Sequence, residues 1–218
     1  MSDTDCSCSP ETTFVYDADG WRVNKSVGAT TTRYISQLYE CDNTNCTRYI
    51  WAGATRLAMV PDNPTGQPCN PACYITADHL GSTNLVTDAT GARVETLAYQ
   101  PYGEITADSP GAPVNTAYKY TGQMRDASTG LLYYHARYYD PHLGRFISPD
   151  SIVSNLRVPQ DLNRYAYARN NPMLYTDPSG HCPICIGIGI GILIGALSSG
   201  IQSDWDLKAT LIGGDVPP

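Results

Sequence analysis

The chain has 218 residues, a net charge of −7 and only 16% charged residues. It has room for one domain of ordinary size with appendages. It lacks the basic face that phosphate neutralisation needs, which excludes nucleic acid as a partner.

Tyr (16) far outnumbers Phe (2), and Gly (19) and Pro (16) are frequent. Tyrosine suits half-buried sheet surfaces, with a packed ring and a hydroxyl at the rim. No long helical pattern occurs in the first 180 residues, so the fold is read as all-β. Arg is the dominant cation, and it serves planar pairing and stacking on rings better than Lys does. A compositional bias would give the same preference.

Residues 1–12 read as a loose polar leader with no basic n-region and no apolar run. From there "YDADGWRV" (16–23) recurs as "TDATGARV" (87–94), and partial copies stand at "RDASTGLLYY" (125–134) and "YDPHLGRF" (139–146). Each places Asp, then two or three residues, then Gly, then a run of period two. Asp bonds its own backbone and Gly supplies positive φ, so each is a hairpin signal. Hairpins in series predict a sheet grown by strand addition, whose units cover one another's apolar faces. Strands are predicted at 12–17, 21–26, 31–39, 47–51, 55–60, 73–78, 84–88, 92–100, 117–122, 131–139 and 145–148. Loops are expected at 61–72 and 106–115, and a helical turn at 160–168.

The eight cysteines fall in four close pairs: Cys6/Cys8, Cys41/Cys46, Cys69/Cys73 and Cys182/Cys185. Eight allow on the order of a hundred full pairings. Local pairing is the simplest, and Cys41–Cys46 and Cys69–Cys73 would each staple a loop in an oxidising compartment. Thiolate metal binding at "CPIC" is the alternative, although a second CxxC is missing. His79 beside Asp78 suggests a metal or base, or a turn-stabilising Asp-His pair. His135 and His142 show no ligand spacing. There is no phosphate loop, Ser-His-Asp order or HExxH, and no cofactor is expected.

Residues 182–201, "CPICIGIGIGILIGALSSGI", carry no charge. Gly187, Gly191 and Gly195 follow the small-xxx-small spacing of closely packed apolar helices. The apolar run 184–201 reaches the lower limit for spanning a bilayer, about 18 residues. Membrane contact, a plug buried in the fold as helix or extended chain, and an aggregation-prone remnant all remain open. Residues 202–218 are polar.

Three long motifs, "DHLGSTNLVTDATGARVETLAYQPYGE" (78–104), "TGQMRDASTGLLYYHARYYDPHLGRFISPD" (121–150) and "NRYAYARNNPMLYTDPSGH" (163–181), strongly resemble the RHS-repeat-associated core domain. "YDADGWRV" resembles the YD repeats that precede it. The resemblance divides the chain into a leader (1–12), YD-like hairpins (13–77), the core (78–181) and a variable C-terminal segment (182–218). It implies part of a hollow β-shell that encloses its own C-terminal segment as cargo. It also implies a toxin-type protein that is secreted or held at the cell surface by a non-classical route. Upstream repeats or a secretion apparatus would be its further partners.

The resemblance further implies an aspartyl self-protease that cuts just after its last DPxG motif. Asp177 stands in an intact "DPSG". Asp150 in "SPDSIV" matches the second position, with Ser151 in place of Pro and Val153 in place of Gly. Asp161 is a weaker candidate for that carboxylate. The expected cut lies between His181 and Cys182. Arg145, Arg164 and Arg169 would tune a carboxylate or orient the carbonyl, Arg164 foremost; equally they would brace Tyr138, Tyr139, Tyr165 and Tyr167. Asp150 and Asp177 would otherwise simply cap turns. A tail of 37 residues is too short for an ordinary enzymatic fold. The competing reading is a non-catalytic surface module for interaction or carbohydrate contact.

Overall fold

The computed structural model describes residues 11–63, 68–108, 116–152, 157, 159–181 and 185–186. It is all-β. Ten antiparallel strands form one open sheet in strict chain order: β1 (Thr12–Tyr16), β2 (Arg22–Val27), β3 (Thr30–Ser36), β4 (Tyr39–Cys41), β5 (Cys46–Ala52), β6 (Thr55–Pro61), β7 (Cys73–Ala77), β8 (Thr83–Thr87), β9 (Arg93–Tyr99) and β10 (Ile105–Asp108). A second sheet joins β11 (Met124–Arg125), β12 (Leu132–Tyr133), β13 (Tyr138–Asp140) and β14 (Arg145–Phe146). A third pairs β15 (Tyr175–Thr176) with β16 (Cys185–Ile186). The helical pieces among the described residues are 3-10 turns, at Tyr120–Gly122, Pro159–Leu162 and Ala168–Asn170.

The repeated Asp-x-x-Gly turns share one geometry. Asp17 Oδ1 accepts the amides of Asp19 (3.0 Å) and Trp21 (2.8 Å). Asp88 Oδ1 takes those of Thr90 and Ala92, and Asp78 Oδ1 those of Leu80 and Ser82. The glycines that close them, Gly20, Gly91 and Gly81, have φ of +82°, +85° and +86°, where a side chain would be strained. The turn at 78–82 is thus a further copy of the repeat. Asp78 stabilises it through backbone amides rather than by an Asp-His pair, and His79 Nε2 instead meets the Met173 carbonyl at 3.3 Å.

Period-two burial is clean in β7, where Cys73 and Ile75 are buried and Tyr74 and Thr76 exposed. The buried face packs on residues 118–124 through Tyr49, Met59, Val86, Val94, Tyr118 and Met124. Disulfides join Cys41 to Cys46, directly opposite in the β4–β5 ladder, and Cys69 to Cys73.

Several expected strands break. The stretch 31–39 is a hairpin, because Ser36 Oγ captures the Leu38 amide and turns the chain into β4. Within 131–139 the chain folds back at His135, whose φ is +60°, so that Leu132 faces Tyr139 and Tyr133 faces Tyr138. The fold-back buries Tyr134 and Tyr139 in one core cluster, while Tyr133 is buried on the other side against Tyr138 and Arg22. Residues 117–122 make a tight turn, closed by Lys119 N–H to the Gln123 carbonyl, and held where buried Lys119 pairs with buried Glu95. The expected loop at 106–115 begins as β10, continuing the β9 ladder.

The expected features of 1–12 and 182–218 lie outside the described residues, apart from Glu11, Thr12, Cys185 and Ile186. This covers the membrane contact at 184–201 and the Cys182 side of the cut. No described helix is long and apolar enough to cross a membrane. No described group of three or more His, Cys, Asp and Glu is placed to hold a metal ion.

Candidate active site

A second core underlies the site. Tyr120, Leu132, Tyr134, Tyr139, Phe146 and Tyr167 pack together, with rings edge-on or tilted at centroid distances such as 4.6 Å for Tyr139–Tyr167. Their hydroxyls find partners: Tyr120 donates to the Pro101 carbonyl (2.7 Å) and Tyr139 to that of Tyr102 (2.8 Å). Burial pushes the Tyr167 hydroxyl up to about 12.

Arg137 lies on this core, its guanidinium carbon 3.6 Å from the Phe146 ring centroid. From there it reaches three separate parts of the chain. Nη2 meets Asp150 Oδ2 at 2.9 Å and Asp177 Oδ2 at 3.3 Å. Nη1 donates to the Arg164 carbonyl at 2.9 Å, and Nε to the Gly180 carbonyl. Burial pushes the guanidinium down from its ordinary value, and Asp150 and Asp177 pull it back up.

Both carboxylates are locally fixed. Asp177 Oδ1 accepts the Gly180 amide at 2.9 Å, a turn that Gly180 closes at φ +76°. A Cβ there would meet the Tyr134 carbonyl oxygen at 2.5 Å. Asp150 donates its own amide to the Arg164 carbonyl, accepts Arg164 Nε on its carbonyl, and accepts the Ile152 amide on Oδ1 at 2.9 Å. His181 Nδ1 joins that same Oδ1 at 2.8 Å. Asp177 and Asp150 are 1% and 6% exposed, so neither carboxylate is solvated in the ordinary way. A cavity of about 20 Å³ beside them, lined also by Arg137, Asp161, Arg164 and Arg169, has room for a single water molecule.

Asp150, Asp177, Arg164 and His181 therefore meet in one place around Arg137. Asp161 is taken by Arg169 in a two-pronged pair at 2.6 Å. Of the arginines expected to brace tyrosines, Arg145 is exposed, Arg164 holds the Asp150 backbone, and Arg169 pairs with Asp161. Among the described residues, the arginines over rings are Arg22, Arg56 and Arg137. Sequence reasoning missed Arg137. Its signal was its place in "YYHARYYD", the one cation inside the densest tyrosine run.

A run of Asp-x-x-Gly hairpins closed by a tyrosine core and an Arg-bridged acidic turn defines a shell-wall protein of the YD-repeat class. The teneurin YD-shell family model matches residues 28–173, and the chain belongs to that family of RHS/YD-repeat proteins. The tRNA nuclease WapA of Bacillus subtilis is 32% identical over 180 residues, covering 79% of this chain and 8% of that protein. Toxin subunit YenC2 of Yersinia entomophaga is 40% identical over 106 residues, 47% of this chain and 10% of that protein. The crystal structure of TcdB2-TccC3-TEV superposes with a TM-score of 0.64 at 25% identity, over 78% of this chain and 9% of that one. The chain thus spans a tenth or less of the length of these relatives.

Proposed function

We propose that this chain is the C-terminal part of a toxin-type RHS/YD β-shell protein, secreted or carried at the cell surface, whose core encloses segment 182–218 and cuts itself from it after His181. The observation that supports the cut is the meeting of Asp150 and Asp177 on one Arg137 nitrogen, beside the Gly180 carbonyl. Toxin kinship comes from YenC2.

The reaction is hydrolysis. One carboxylate takes a proton from water as its oxygen adds to the His181 carbonyl carbon. The other, protonated, donates to the carbonyl oxygen. The intermediate collapses, the His181–Cys182 C–N bond breaks, and the proton passes to the Cys182 nitrogen, leaving a His181 carboxylate and a Cys182 amine. The two carboxylates divide these roles, one as general base and one as general acid. Arg137 orients the turn that presents the bond.

The test is intact mass of the expressed chain. A fragment ending at His181 that vanishes in Asp177→Asn supports the reading. A folded chain that stays whole returns the protein to the non-catalytic surface-module reading.

A further inference from the structure

We infer that His181 is a latch on Asp150 that holds the carboxylate pair at rest and thereby sets the rate of self-cleavage. This rests on the self-cleavage reading above and concerns its regulation.

The argument is one of lone pairs. A carboxylate oxygen offers about two acceptor sites. Asp150 Oδ1 accepts the Ile152 amide at 2.9 Å and His181 Nδ1 at 2.8 Å. Its other oxygen is turned to Arg137 Nη2 at 2.9 Å. The oxygen that is not facing a guanidinium is therefore full. With Asp150 as the carboxylate that activates water, an oxygen directed away from the guanidinium must be free to accept from it; Oδ2 faces Arg137, so the imidazole and the attacking water compete for Oδ1.

The competitor is also part of the substrate. His181 carries the carbonyl to be cut, so while its side chain sits on Asp150 the bond is held in one pose. Two further contacts fix that pose: the His181 amide donates to Ser179 Oγ at 3.3 Å, and the preceding carbonyl is held by Arg137 Nε. The latch is nonetheless releasable. The imidazole is 37% exposed while the Asp150 side chain is 9% exposed, so the ring can turn into solvent and leave Oδ1 open. The backbone donor from Ile152 is tied to the turn and cannot leave with it.

The full chain, freshly purified, gives the test by a time course of intact mass. His181→Leu removes the donor and is expected to speed the cut by about tenfold or more, within the range a general base contributes. His181→Asn keeps an N–H donor within reach of Oδ1 and is expected to stay as slow as the parent chain. His181→Ala is the second donor-free variant, should leucine disturb the fold. Adding Asp177→Asn to His181→Leu should abolish the accelerated cut. Folded His181→Leu and His181→Ala chains cut no faster than the parent overturn the latch and leave self-cleavage standing. A parent and donor-free variants that all fold and all stay whole overturn both.

Discussion

The meander of residues 12–108 and the module of residues 116–181 are built on different economies. In the meander each strand pairs with its neighbour in sequence, strands run to seven residues, and positive φ falls on glycine. In the module the strands are two or three residues long, and all five described non-glycine residues with positive φ lie there: Thr121, His135, Ala168, Arg169 and Asn170. Few ladder bonds and a strained backbone need other support. It comes from packed tyrosines and from buried ion pairs, Arg22–Asp126, Lys119–Glu95 and Arg137 with its two aspartates. Regular hairpins give a wall by repetition; the irregular module gives a site because its side chains, not its ladder, fix the backbone.

The sharpest way to break this contrast is Arg137→Leu. It leaves two buried carboxylates without their cation and should cost about 3–5 kcal/mol, read as a lowered thermal midpoint. A loss under about 1 kcal/mol would mean that the module does not depend on its ion pairs. Arg22→Met tests the seam between the regions. Arg22 meets Asp126 at 2.7 Å, with side chains 1% and 0% exposed, and Lys25 remains as a second partner at 2.8 Å. A loss near the lower end of that range, about 3 kcal/mol, is expected, together with faster amide exchange across β11–β13.

His135 gives a pH test. Burial first, and the Arg22 charge second, lower its imidazole to about 4, and its Nδ1 has no hydrogen-bond partner among the described residues. A depressed histidine means that the unfolded chain binds the proton first. Stability should therefore fall as pH drops from about 6.5 to about 4, by on the order of 3 kcal/mol. Denaturation across that window, and histidine proton shifts in NMR, check it. The smallest effect belongs to the meander surface. Arg48→Ala breaks an exposed pair with Asp62, 61% and 38% exposed, and should change stability by no more than about 1 kcal/mol.

The turns were legible because Asp and Gly write their geometry locally: a carboxylate that reaches its own amides and a residue free to take positive φ. So was the all-β class, which follows from period-two patterning between such turns. The breaks at Ser36 and His135 were not, because a tyrosine-rich run reads as one strand whether or not it folds back. Of the cluster around Arg137, the sequence offered Asp177, through "DPSG", and Asp150 as candidates, and the structure brings both onto that arginine. Arg137 was hidden, since nothing near it in sequence shows that it will meet residues 150, 164, 177 and 180.

By itself the sequence determined a wall of Asp-Gly hairpins rich in tyrosine, ending in an acidic turn ahead of an apolar tail. Only the tertiary structure decided that one arginine gathers two distant aspartates, and that the histidine at the seam sits on one oxygen of Asp150. Turn chemistry is encoded within five residues, whereas a buried charge chooses its partner from whatever the packed core brings within about 3 Å.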